Sequence, residues 1–154
     1  MTAEDFVRLI ADVTSAIAGK PVDKALEDDL NQRFPASGSV FAQIAAACRE
    51  GSPAGWLCNR EQGGIRFGRV AKPSPDLQGY SIDVVDMNEV AGPHHTHPNG
   101  EVDLIMPTEG DARFDGHGAG WLVYAPGSSH RPTVSGGRAL VLYLLPGGAI
   151  EFTR

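Results

Sequence analysis

A mostly β chain, a jelly roll or barrel with two or three helices at its N-terminus, is what this sequence predicts. Two observations carry that expectation. Apolar residues recur at three- and four-residue steps up to about residue 51 and alternate from Trp56 onward, which are the periods of helix and strand. Glycine and proline, 19 and 11 of 154 residues, fall mostly after residue 50, where they punctuate short apolar runs as turns do in all-β regions.

Phe6, Leu9, Ile10, Val13 and Ile17 share one face of a first helix. Thr2 is its N-cap, with Asp5 three residues on, and Gly19-Lys20-Pro21 is its stop. A second helix carries Ala25, Leu26 and Leu30 and ends before Pro35. A third aligns Val40, Phe41, Ile44, Ala45 and Cys48 until Gly51 and Pro53 stop it. Some fifty residues bury too little surface to stand alone, so residues 1–52 are expected as a helical cap packed on a barrel formed by residues 53–154, one compact domain in all. Within the barrel, Ile65, Phe67 and Arg69 alternate with their neighbours, as do Ile82 and Val84, then Val102, Leu104 and Met106. Residues 121–124 and 140–145 read as buried strands bounded by Pro126, Pro146 and several glycines. Eight to ten short strands without intervening helices suit a jelly roll better than an α/β fold.

Thirteen basic against nineteen acidic residues leave a net charge of −6, a surface that repels phosphate backbones, so nucleic acid is not an expected partner. Cys48 and Cys58 are too few for a disulfide framework. Glu4, Asp5 and Arg8 interrupt the apolar N-terminal residues, unlike a signal peptide, and no apolar run approaches the ~20 residues that span a bilayer. A cytoplasmic protein without a membrane partner is expected.

Chemistry concentrates in the histidines. In a strand, His95 and His97 project from the same face while His94 and Thr96 oppose them. Pro98-Asn99-Gly100 then makes a turn and Glu101 returns on the next strand. Imidazoles with one carboxylate suit a divalent metal, and His130, on a short Gly127-Ser128-Ser129 lead, is positioned to complete the shell. His94 and His117 are expected at the surface. Asp103, two residues after Glu101, shares its face if the strand is regular. There it would act as a general base or orient a water, its pKa depressed by the cation. Arg69 shares a face with Ile65 and Phe67 and could grip a ligand carboxylate, with Arg66 and Arg131 as alternatives. Tyr80, Trp121, Tyr124 and Tyr143 are candidates for an aromatic wall.

This spacing resembles the cupin superfamily, whose first motif is matched by His95, His97 and Glu101 and whose second is matched by Gly127 and His130. The resemblance implies that all four groups converge inside the barrel. Departures are Glu89 in place of a motif glycine, a late glycine at Gly110, a displaced proline at Pro126 and Val134 where an asparagine is usual.

A closer resemblance narrows the chemistry. The run Gly92-Pro93-His94-His95-Thr96-His97-Pro98-Asn99-Gly100-Glu101-Val102-Asp103, with Tyr124-Ala125-Pro126-Gly127-Ser128-Ser129-His130-Arg131-Pro132 and the ending Leu144-Leu145-Pro146-Gly147-Gly148, is similar to the bacterial 4-hydroxylaminobenzoate lyase family. That similarity implies a lyase of nitroaromatic degradation, converting 4-hydroxylaminobenzoate and water to 3,4-dihydroxybenzoate (protocatechuate) and ammonia. It implies Fe, Mn, Zn or Ni held by His95, His97, Glu101 and His130. Glu101 and Asp103 would be the catalytic acids, and Arg69, Tyr124 and Arg131 the substrate contacts. Alternatives are a metal-dependent cupin dioxygenase of a small aromatic or thiol substrate, a metal-free polar catalytic cluster, and a non-catalytic barrel that binds a small acid. The apolar helical stripes offer a surface for a homodimer.

Overall fold

The computed structural model describes residues 1–153. Three helices come first: α1 (Ala3–Ala16), α2 (Lys24–Arg33) and α3 (Ser39–Ala54). Nine strands follow: β1 (Arg60–Gln62), β2 (Ile65–Ala71), β3 (Tyr80–Ala91), β4 (His95–His97), β5 (Glu101–Phe114), β6 (Gly120–Tyr124), β7 (Ser128–His130), β8 (Thr133–Pro146) and β9 (Glu151–Phe152). The expectation of a mostly β jelly roll behind three helices is met. Among the described residues, no helix is long and apolar enough to cross a membrane.

The start of α1 follows its sequence signals: Thr2 accepts from the Asp5 N–H and the Asp5 carboxylate accepts from the Thr2 N–H, a reciprocal cap. The end of α3 does not. It runs through Gly51 and Pro53 and stops at Gly55, which takes φ +88°. Pro53 lies in the last turn, two residues before that glycine. Gly51 is there for space, since a Cβ would meet the Trp56 ring at 2.7 Å and Leu57 at 2.8 Å.

The strands form a six-stranded sheet in the order β1-β2-β3-β8-β5-β6 and a three-stranded sheet in the order β7-β4-β9, with antiparallel pairing throughout. The large sheet is buried on both faces. On β8, Leu140, Leu142 and Leu144 pack with Phe6, Ile10, Leu30 and Ile44 of the helices, while Val141, Tyr143 and Leu145 join Ile105 and Phe114 in the barrel interior. Two covered faces explain why this stretch reads as a continuous apolar run rather than an alternation. Phe6, Ile10, Val13 and Ile17 of the first stripe are buried within the chain, while Leu9, Val40 and Phe41 are only partly buried.

The strands are also longer than the turn residues suggested. β5 and β8 have fourteen residues each, because Pro107 and Gly110 fall at register shifts inside the β5–β8 ladder instead of ending it. Proline and glycine are tolerated in strands at such bulges.

The outer edge of β6 is covered by side chains of α2. Asn31 imitates a strand: its Nδ2 donates to the Trp121 carbonyl at 3.0 Å and its Oδ1 accepts the Trp121 N–H at 2.9 Å. Glu27 Oε1 accepts the Val123 N–H at 2.9 Å. Covering an edge in this way removes a template for unwanted pairing. Replacing Asn31 by alanine leaves both Trp121 backbone groups without partners, an expected cost of about 1–3 kcal/mol. Urea unfolding measures it; a loss within about 0.5 kcal/mol would mean that water replaces Asn31 at this edge.

Candidate metal centre

The smaller sheet builds the site by register. β4 lies between β7 and β9, with His95 opposite His130 and His97 opposite Ser128. Alternation along β4 buries His95 and His97 to 1% and 0% exposure and leaves Thr96 half-buried. Two glycines shape the approach. Gly100, at φ +88°, closes the turn with its N–H on the His97 carbonyl at 3.2 Å, and Gly127, at φ +81°, donates to the same carbonyl at 2.8 Å. A Cβ on Gly100 would meet Val22 at 2.7 Å and the Tyr124 carbonyl at 2.9 Å. Glu101 then opens β5 with no exposure at all.

Three imidazole Nε2 atoms surround the Glu101 carboxylate: His97 at 3.2 Å from Oε2, His130 at 3.5 Å from Oε2 and His95 at 3.5 Å from Oε1. One ligand atom from each of the four residues lies within 4.8 Å of the others. Each Nδ1 has an oxygen partner outside the cluster. His95 Nδ1 meets the Pro93 carbonyl at 3.2 Å, His97 Nδ1 meets Ser128 Oγ at 3.1 Å and His130 Nδ1 meets Asp115 Oδ2 at 2.5 Å. A carbonyl and a carboxylate only accept, and Ser128 spends its own proton on the Ala125 carbonyl at 2.5 Å. All three Nδ1 atoms are therefore assigned as donors. In their neutral forms the rings aim three Nε2 lone pairs at one point beside a carboxylate.

That arrangement fits a divalent cation. His97 Nε2 and both Glu101 oxygens are buried without a hydrogen-bond partner, the kind of orphaned atom that calls for an ion. Metal–nitrogen bonds of about 2.1 Å put adjacent donors about 3 Å apart, and the Nε2 atoms of His130 and His95 are 3.1 Å apart. The donor set suits Fe, Mn, Zn or Ni. Burial disfavours the Glu101 charge, yet His130, His95 and His97 outweigh it and hold its pKa well below the ordinary carboxylate range.

Asp103 is fully buried on the face it shares with Glu101. With no cation beside it, burial and then the Glu101 charge push its pKa well above the ordinary value. Like Glu101, it is absent from the cavity wall.

A cavity of about 950 Å³ opens beside the cluster, lined by Ile65, Phe67, Val85, Met87, Leu145 and Phe152 with Tyr143, Arg69, Asp83 and Arg131. Of the four candidate ligands, His95 alone reaches this wall. Arg69 reaches it with its guanidinium already forked on Asp83, Nε at 3.0 Å and NH2 at 3.2 Å. Arg131 is exposed and, among the described residues, holds only the Gly92 carbonyl, at 3.3 Å. Arg66 is turned to the Ser52 carbonyl. Tyr124 is not on the cavity wall; its ring packs on His130 at 4.3 Å between centroids, and its hydroxyl donates to Asp115. His94 pairs with Thr153, and His117 lies exposed in the turn after β5, as expected.

Two contributors escaped sequence reasoning. Asp115 reads as an ordinary Asp-Gly hairpin turn, and nothing ties it to His130 fifteen residues on. Asp83 faces Arg69 through the β2–β3 register, which no local pattern displays.

The chain is similar to known proteins over nearly its whole length. A family model described as PnbB, 4-hydroxylaminobenzoate lyase, matches residues 8–152. A 4-hydroxylaminobenzoate lyase of Nocardioides sp. (strain LMS-CY) is 29% identical over 98% of this chain and 95% of its own. One from Pseudomonas putida is 27% identical over 97% of this chain and 94% of its own. Among solved structures, an RmlC-like cupin protein from Ralstonia eutropha aligns at 16% identity over 60% of this chain and 62% of its own, with a TM-score of 0.45.

Burial opposes the charge on His130, but Asp115 and Glu101 overcome it and raise its pKa to about 9. Below that pH a cation entering the site must expel the His130 proton. Zn²⁺ affinity, measured against a competing chelator, should therefore strengthen by about tenfold per unit from roughly pH 7 to 9 and then level off. A flat profile would remove His130 from the ligand set.

Proposed function

The chain belongs to the 4-hydroxylaminobenzoate lyase family, and from that membership we propose that it converts 4-hydroxylaminobenzoate, or a close hydroxylamino-aromatic acid, and water to 3,4-dihydroxybenzoate and ammonia. The observation that carries this reading is a cluster of three imidazoles and a carboxylate against the wall of an apolar cavity that takes an aromatic ring. The overall change needs no outside oxidant or reductant. The N–O bond breaks, a C–O bond forms at the neighbouring ring carbon, and the C–N bond is replaced by a second C–O bond as ammonia leaves. Oxidation of the ring balances reduction of the nitrogen.

His95, His97, Glu101 and His130 would hold a divalent cation, which would supply Lewis acidity when bound. The chain's own groups do the rest. Phe67, Val85, Met87, Leu145 and Phe152 hold the ring and exclude water from it. Arg131 takes the carboxylate, because Arg69 is committed to Asp83. Burial, with the Glu101 charge beside it, keeps the Tyr143 phenol protonated, so it donates a hydrogen bond to the polar end of the substrate near His95. Asp103 stores a proton behind Glu101. Tyr124 serves by packing on His97 and His130.

Incubated without dioxygen, the purified, metal-loaded protein should release ammonia and the catechol from 4-hydroxylaminobenzoate in equal amounts. A folded, metal-loaded protein that yields no ammonia overturns the lyase reading, and turnover only in air would mark a dioxygenase. Arg131→Gln should raise KM by about 10–100-fold with kcat little changed, since a charge-assisted hydrogen bond contributes about 1.5–3 kcal/mol. An unchanged KM would free Arg131 of the anchoring role.

A further inference from the structure

We propose that Asp115, at the tip of the β5–β6 hairpin, is a positioning residue that fixes the ring orientation and tautomer of His130 and so aims its Nε2 into the cluster. The proposal rests on the metal-centre reading of the site. Its geometric part concerns residues that touch no substrate.

The carboxylate is held from three directions. Oδ2 faces His130 Nδ1 at 2.5 Å and also accepts the Tyr124 hydroxyl; Oδ1 accepts the Thr133 N–H at 2.9 Å. The backbone is clamped as well, the Asp115 N–H donating to the Thr133 carbonyl at 2.8 Å. Thr133 opens β8 and His130 closes β7, so one residue ties the hairpin to both strands. This placement has a conformational cost. Asp115 takes φ +49°, a left-handed conformation that non-glycine residues rarely adopt, with aspartate and asparagine among the exceptions. A glycine would serve the turn alone, but only a side chain at this position reaches His130.

The consequence for the site follows from donor bookkeeping. A carboxylate can only accept, so His130 Nδ1 must carry a hydrogen and, in the neutral ring, Nε2 must carry the lone pair. An amide at position 115 changes this without disturbing the backbone. The Thr133 N–H still needs an acceptor and keeps the amide oxygen, which turns the amide NH2 toward His130. Nδ1 must then accept, the hydrogen moves to Nε2, and it points at Glu101 where the cation would sit.

The test compares the full-length protein with Asp115→Asn by three measurements. Zn²⁺ dissociation constants, set against a competing chelator, should weaken by about 10–100-fold. Long-range 1H–15N spectra of the cation-free proteins at about pH 10, where imidazoles are neutral, should move the His130 hydrogen from Nδ1 to Nε2 and leave His95 and His97 unchanged. Thermal midpoints of the cation-free proteins should stay close. An unchanged tautomer together with an unchanged Zn²⁺ affinity overturns the proposal. If even the unaltered protein fails to bind Zn²⁺, the metal-centre reading fails while the spectra still decide the orienting role. Asp115→Gly, which accepts the backbone conformation, repeats the comparison should the asparagine variant not fold. It should lose the fixed tautomer, and a retained Nδ1–H form would again count against the proposal.

Discussion

Burying the Glu101 carboxylate is the constraint on which the rest of the site depends. An isolated charge in a protein interior costs several kcal/mol even after relaxation, and Glu101 has no exposure and no hydrogen-bonding partner of its own. It is tolerated because His95, His97 and His130 are drawn up around it. Those rings are held in turn by oxygens from three places: the Pro93 carbonyl ahead of β4, Ser128 at the start of β7 and Asp115 at the β5–β6 turn. A slip of one residue in β4 would turn both of its histidines outward. It would also strand the carboxylate, so fold and site specify each other.

The same dependence explains what the sequence makes visible. His95, His97 and Glu101 sit close together in the chain, so strand periodicity and one turn suffice to bring them to a common face. Asp103 follows by the same period, and its burial agrees. The helix faces of α1 and α2 are legible because their apolar stripes are local. Pro107 and Gly110 are uninformative on their own, because a bulge and a turn use the same residues and only the facing strand decides between them. Arg69 misleads for a related reason: its Asp83 partner lies across a ladder, fourteen residues away. Asp115 is silent, since an Asp-Gly pair is sufficiently explained by the hairpin that contains it.

Glu89 is an instructive middle case. It adopts φ +42°, rare for a residue with a side chain, at the register shift between Asn88 and Val90. The strand pairing on either side of the shift holds the backbone there, and no local pattern in the sequence displays it.

The site is asymmetric, and the asymmetry bears on how a ligand would sit. Polar support lies on the Asp115, Tyr124 and Ser128 side, while the cavity beyond His95 is walled chiefly by apolar residues. One register row runs Arg69, Asp83, Tyr143, Asp103 across β2, β3, β8 and β5, and its first three members line that wall. Arg69 and Asp83 neutralise each other through their forked bond, and Tyr143 carries no charge. Arg60 and Arg131 are the wall's other cations, neither with an acidic partner among the described residues. Both guanidiniums are exposed, so a ligand carboxylate held by either would sit at the solvent side of the cavity, with the rest of a flat ring against its apolar wall.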